Sequence, residues 1–391
     1  MSVNQQSFSS SSFGVSKSSV PHAAPFAQVS CDGADTYWVE TFSTKSARNA
    51  LLRRGGGQIR EILPLLPGGA LPDVRTQIRG GRAYAVCEGV VVFSNSANGC
   101  LYRFDVNHPE GGALRLTPEV AYHFADMVID LVRGVVFAVR AGGDGGSEIV
   151  AVPLDGAAAR ENSNIQVLFS EDAHATSLAL SVAGHFLAFV CASTNTNTPS
   201  RSKLCVAELG FMGDFVKVHN LVDAENVAVF QPRWTLEDDL IHIDNSSGWA
   251  NLYRTEGFNS SSWQSHLRTR ALHPTPKNFS LPTMAPSTTS FGNLDITHLV
   301  ATWWDNEKAN LGSIRLDNGQ LETWETGWRP LGNVDSQGGR TVAVVEDTDG
   351  RGALIEIKRG TVRVLRQEIG TTPANMTNNT DEFERKETSD K

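Results

Sequence analysis

One short pattern recurs along this chain: a few alternating apolar residues closed by a charge or a glycine. It occurs as ALLRR ending at Arg54, LYRFD ending at Asp105, VPLD ending at Asp155 and VAELG ending at Gly210. It returns as LYRTEG ending at Gly257, SIRLD ending at Asp317 and LIEIK ending at Lys358. Successive copies lie 51, 50, 55, 47, 60 and 41 residues apart. A sustained period of this kind is the mark of a repeat architecture. Between copies the chain offers three more short apolar runs, such as RAYAV (82–86), VVVFS (90–94) and ALRL (113–116) around the second. Around the last copy they are NVDS (333–336), TVAVV (341–345) and TVRVL (361–365). Gly, Asn and Asp separate them, as turns require.

Each unit therefore reads as four short strands, the size of one propeller blade. A single such sheet cannot bury both faces, whereas a ring of seven gives each sheet two neighbours. A pair of β-sandwiches would not carry one period from residue 54 to residue 358. The expected fold is all-β: a seven-bladed β-propeller over residues 23–367, with four antiparallel strands per blade. APFAQVS (24–30) and TYWVE (36–40) supply the first two strands of blade one, and TVRVL the last strand of blade seven. Both end blades are then complete, so the ring closes without strand exchange. Its seam would be held by side chains instead of a shared ladder. The Ser-rich leader 1–22 and the polar tail 368–391 fall outside the ring, and residues 258–290 suggest a long surface loop near blade six.

Composition narrows the function classes. Hydrophobic residues make up 40% and charged residues 20%, with a formal net charge of −9. That balance argues against nucleic acid and against anionic membranes as partners. No run reaches the roughly 20 apolar residues of a membrane span. The leader holds no apolar signal-peptide core, and the five cysteines form no CxxC pair. Both point to a cytoplasmic chain with reduced thiols. The histidines show no metal-ligand spacing, and no nucleotide-binding loop is present, so neither a metal nor a cofactor is expected.

Several longer pieces resemble a known family. They are IREILP (59–64), DVRT (73–76) with GGRAYAV (80–86), VVFSNSANGCLYR (91–103) and LRLTPE (114–119). FADMVID (124–130), FQPRW (230–234) and SSGWANLYR (246–254) complete the set. Together they resemble the amino-terminal propeller of the prolyl oligopeptidase family, in its acylaminoacyl-peptidase and dipeptidyl-aminopeptidase-like branch. The resemblance implies a propeller followed, in full-length relatives, by an α/β-hydrolase domain that carries a Ser-His-Asp triad. This chain contains no G-x-S-x-G nucleophile elbow; GGSEI (145–149) is the nearest string. It is therefore expected not to be a self-sufficient serine peptidase, and no catalytic residue is assigned. It also departs from the family inside the propeller. Where relatives show His-Glu-Tyr-Gly-Gly-Gly after VRT, it reads QIRGGR (77–82), and a usual Ser-Pro-Asp-Gly turn reads SVAGH (181–185).

Six residues stand out as ligand contacts at the channel. Arg75, Arg79 and Arg82 crowd one stretch ahead of an inner strand and would suit a carboxylate or phosphate. Asp126 and Arg233 lie on expected inner strands, where Asp126 also suits a hydrogen bond between blades. Trp303 adjoins Trp304, and neighbours on a strand face opposite sides, so one of the two should meet solvent or ligand. The expected function is a stand-alone, non-peptidase propeller that binds a small molecule or protein partner at its channel mouth, with a homodimer also in view. The alternative is a cyclase- or isomerase-like enzyme of specialised metabolism that orients a reactive intermediate in the channel.

Overall fold

The computed structural model describes residues 25–368, apart from 43–46, 143–145, 172, 194–201, 281–283, 285–287 and 307. The leader, nearly all of the tail and the middle of the Gly-rich turn at 142–147 lie outside the described residues. The strands form seven four-stranded antiparallel sheets, each built from one contiguous stretch in simple up-and-down order. Blades one to seven span 26–61, 84–115, 123–170, 173–222, 229–271, 291–323 and 329–367. All seven copies of the recurring pattern fall on the third strand of their blade. The first strand of each blade is the inner one. Among the described residues no helix is long and apolar enough to cross a membrane.

The apolar core is divided into seven wedges, one between each pair of adjacent blades. Strand alternation feeds two wedges at once. In the second strand of blade two, Val91 and Phe93 pack toward blade one, while Val90 and Val92 pack toward blade three. In blade three, Val136 and Ala138 turn back to blade two, and Phe137 and Val139 reach blade four. Sheets buried on both faces read as near-continuous apolar runs, which is why VVVFS shows no polar alternation.

The ring closes without strand exchange. Phe26, Val29, Trp38 and Leu52 of blade one pack on Val342, Val344 and Leu354 of blade seven. A polar set locks the same seam. Arg340 donates to Thr36 Oγ1 at 2.5 Å and to the carbonyls of Gly33 and Asp35 at 3.0 and 2.7 Å. Glu356 lies 3.5 Å from both Arg340 and Arg54, and Arg366 reaches Glu40 at 2.8 Å.

A second device recurs on the inner strands of blades one, three, four, five and seven. Each has a bulge with a non-glycine residue in the left-handed region: Gln28, Asp126, Ser177, Gln231 and Asn333. A bulge re-aims its side chain out of the pleat. Here it aims three of them at the next blade. Gln28 Oε1 accepts from Ala83 N at 2.8 Å, and Gln231 Oε1 from Ser290 N at 2.8 Å. Asp126 holds two neighbours: Oδ1 accepts from Arg82 N at 2.7 Å and Oδ2 from Ser177 N at 2.8 Å. Backbone strain of this type costs about 1–3 kcal/mol and survives only where surrounding contacts enforce it.

The 258–290 stretch is more than a surface loop. It contains the outer strand of blade five, Arg268–Ala271, and the fully buried Phe279. Asn278 and Trp304 exchange backbone hydrogen bonds at 3.2 and 2.9 Å. The extra length is therefore partly structural.

Two measurements follow from this framework. Arg340→Ala leaves carbonyls and a carboxylate uncompensated at a buried seam, and should cost about 3 kcal/mol in urea unfolding. Arg315→Ala, at an exposed pair with Asp317, should leave the midpoint unchanged. Burial raises the Asp126 carboxyl above its ordinary value, against the pull of its two backbone donors. A carboxyl raised on folding stabilises the fold when protonated, and this benefit fades as pH climbs through the raised value. The stability of the wild type relative to Asp126→Asn should thus fall from about pH 4 toward neutrality. A flat or rising difference in thermal-melt series would contradict it.

Candidate functional site

The inner strands place a continuous polar belt on the channel wall. It starts at Arg82, whose guanidinium donates to Ser30 Oγ at 2.8 Å and to the Val29 carbonyl at 3.4 Å. Next to Ser30, the backbone N–H of Cys31 donates to Asp335 Oδ2 at 2.8 Å. The other oxygen, Asp335 Oδ1, accepts from Arg233 Nη1 at 2.7 Å. The belt thus runs from blade two through blades one and seven to blade five.

Blade six lies beneath the last span. Arg233 reaches Asp335 across Gly292, where an added Cβ would stand 2.8 Å from Nη1 and 3.3 Å from Asp335 Oδ1. Glycine at this inner-strand position lets the two charged groups meet. Arg233 and Asp335 are both largely but not wholly shielded, so a ligand in the channel can still reach the pair. Tyr84, buried beside this belt, donates its hydroxyl to the Gln28 carbonyl.

The wall offers little nucleophilic chemistry. Burial, then the nearby Asp335 carboxylate, push the Cys31 thiol well above its usual range. A thiol so held stays protonated, and the thiolate is the reactive form. Among the described residues no group of three His, Cys, Asp or Glu side chains is placed to hold a metal ion.

The six expected contacts separate into groups. Arg82 and Arg233 sit on the belt. Asp126 clasps the Arg82 backbone in both directions, since its own N–H donates to the Arg82 carbonyl at 3.0 Å. Its oxygens serve neighbouring blades, in keeping with the inter-blade role. Arg75 is exposed and pairs with Asp73 at 3.2 Å, while Arg79 is exposed on the same connector ahead of blade two. The glycine pair beside them has a packing reason: a Cβ on Gly81 would lie 2.5 Å from Ala125 Cβ. Trp303 is on the second strand of blade six, not on an inner strand. It is 1% exposed and Trp304 8%, so both are buried, against the expectation that one would meet solvent. The physical reason is double-sided burial: Trp303 packs in the wedge toward blade five, and Trp304 pairs with the returning segment at Asn278. The edge of Trp303 does line a cavity of about 450 Å³ with Lys277, Asp305, Lys308 and Glu325.

Sequence reasoning missed Asp335, Ser30 and Cys31. Asp335 stood in plain view inside the NVDS run. Nothing local marks it as the partner of a side chain 102 positions away.

No family model matches the chain, and no curated protein matches it. Solved structures do. Puromycin hydrolase superposes with a TM-score of 0.78 at 25% identity, over 90% of this chain and 55% of its own. A puromycin-hydrolyzing peptidase of Mycobacterium tuberculosis gives 0.77 at 24%, over 90% and 55%. Prolyl oligopeptidase B from Galerina marginata, bound to a 35mer hydrolysis and macrocyclization substrate, gives 0.61 at 12%, over 88% and 50%. The chain spans about half the length of these proteins. Blade count, closure and the extent of each match agree with the sequence pieces: this chain has the architecture of the prolyl oligopeptidase-family propeller.

Proposed function

We propose that this propeller is a non-peptidase binding module whose channel takes a ligand bearing a carboxylate. The observation that carries the reading is the make-up of the polar belt. Two partly shielded guanidiniums, Arg82 and Arg233, share a single carboxylate, Asp335, in a chain whose formal net charge is −9. Low-dielectric walls strengthen the field of such a local excess. An entering carboxylate can add to Arg233 or displace a neutral partner of Arg82, and a planar guanidinium engages it bidentately. Arg79, exposed on the connector ahead of blade two, adds positive charge outside the belt. The protonated Cys31 thiol favours holding a ligand over attacking it.

Peptides with a free carboxyl terminus are the natural first probes, because one structural neighbour was solved with a 35mer peptide-class substrate. In calorimetric titrations, short peptides with free termini should bind and their carboxyl-terminal amides should bind at least tenfold more weakly. Arg82→Ala and Arg233→Ala should each lower affinity about tenfold or more, the worth of one charge-assisted contact. Equal binding of free and amidated peptides, or unchanged affinity in both variants, would remove the proposal. Release of p-nitroaniline from aminoacyl anilides by the purified chain would refute its non-peptidase half.

A further inference from the structure

Up-and-down blades sort their connections onto two faces. Turns between first and second strands, and between third and fourth, lie on one face. The described ends, at Phe26 and Gln367, lie on the other. On the turn face, blades three to five display five large apolar side chains. Val132 is 97% exposed, Phe211 92%, Met212 72%, Val182 63% and Leu236 49%.

These residues form one patch because their turns are tied together. Arg133, next to Val132, donates through Nε to the carbonyls of Gly210 and Phe211, each at 3.2 Å. Its Nη1 holds Asp130 at 2.6 Å and lies against Gly184. On the next turn, Asp238 accepts from Val182 N at 2.5 Å and Ala183 N at 3.0 Å. Val132, Phe211, Val182 and Leu236 thus ride on adjacent, hydrogen-bonded turns. The charges beneath them are already engaged.

We propose that this patch is the contact surface of a homodimer, two copies meeting turn face to turn face about a twofold axis. Scaled by their exposures, the five side chains present on the order of 600 Å². That exceeds the few hundred Å² a monomer usually leaves bare. It approaches the roughly 800 Å² per partner of a standard interface. A twofold contact brings each residue near its own copy, so a charge at its centre would repel itself. The centre here is uncharged: Arg133 is neutralised by Asp130 and two carbonyls, and both Asp238 oxygens accept backbone N–H groups. A net charge of −9 therefore does not oppose this contact as it would one elsewhere on the surface. The turns are ordered before contact, so little conformational freedom remains to be lost. Whatever precedes Phe26 or follows Gln367 departs from the opposite face and leaves this one clear.

Sedimentation velocity on the full chain, from low to high micromolar at physiological salt, tests the proposal. The wild type should run at twice the chain mass. Phe211→Glu and Val182→Glu should each run as monomers with an unchanged circular dichroism spectrum. Val364→Glu, at an exposed site on the outer strand of blade seven, should remain a dimer. The dimer does not rest on the channel reading, so Arg82→Ala and Arg233→Ala should also stay dimeric. A monomeric wild type across the range overturns the proposal. So does a dimer that survives both Phe211→Glu and Val182→Glu, or one that Val364→Glu dissociates.

Discussion

Burial of apolar side chains on both faces of every sheet is the constraint on which this molecule depends. A four-stranded sheet such as blade two, with Val90 and Val92 on one side and Val91 and Phe93 on the other, cannot stand alone in water. Each wedge between blades satisfies half of one sheet and half of the next. The stable arrangement is the one with no first or last wedge, which is a ring. Closure is thus a solvation requirement, and the seam between blades one and seven must be as dry as any other interface.

The seam meets that requirement by an unusual mix. Its apolar part, around Trp38 and Val342, resembles the other wedges. The polar part relies on Arg340 and Glu356, which spread charge over several acceptors instead of forming an isolated pair. A lone buried pair often fails to recover its desolvation cost. Sharing among carbonyls, a hydroxyl and a second arginine is what makes burial tolerable here. The bulge residues work on the same principle at the channel wall, where Asp126 and Gln231 turn strained backbone into contacts between blades.

The ring was legible in the sequence because its period is carried by one kind of strand. Third strands are buried on both faces and end at a turn, so each shows an apolar run stopped by a charge or glycine. LYRFD and LIEIK are examples. The completeness of both end blades could be read for the same reason. The site was much less legible. Arg82, Asp126 and Arg233 were visible as polar residues on inner strands, but their partners come from other blades. Local pattern has no access to a contact such as Arg233 to Asp335. Bulges are equally silent, since Gln28 and Gln231 look like ordinary strand residues until pairing slips. Trp303 misled because alternation assigns faces but cannot say that both faces are covered. The apolar turn tips went unnoticed because each is a single residue, and only the ring brings them side by side.

Because every blade is one unbroken stretch and both described ends leave neighbouring blades on the same side, the order in which the chain visits the ring is incidental to its shape. Cutting any connector between blades and joining the present ends would keep all seven sheets and all seven wedges. What distinguishes the natural starting point is only that the junction there carries Arg340 and Glu356 where other junctions carry covalent chain. The circle has no intrinsic beginning, and the lineage of such folds is free to shift one.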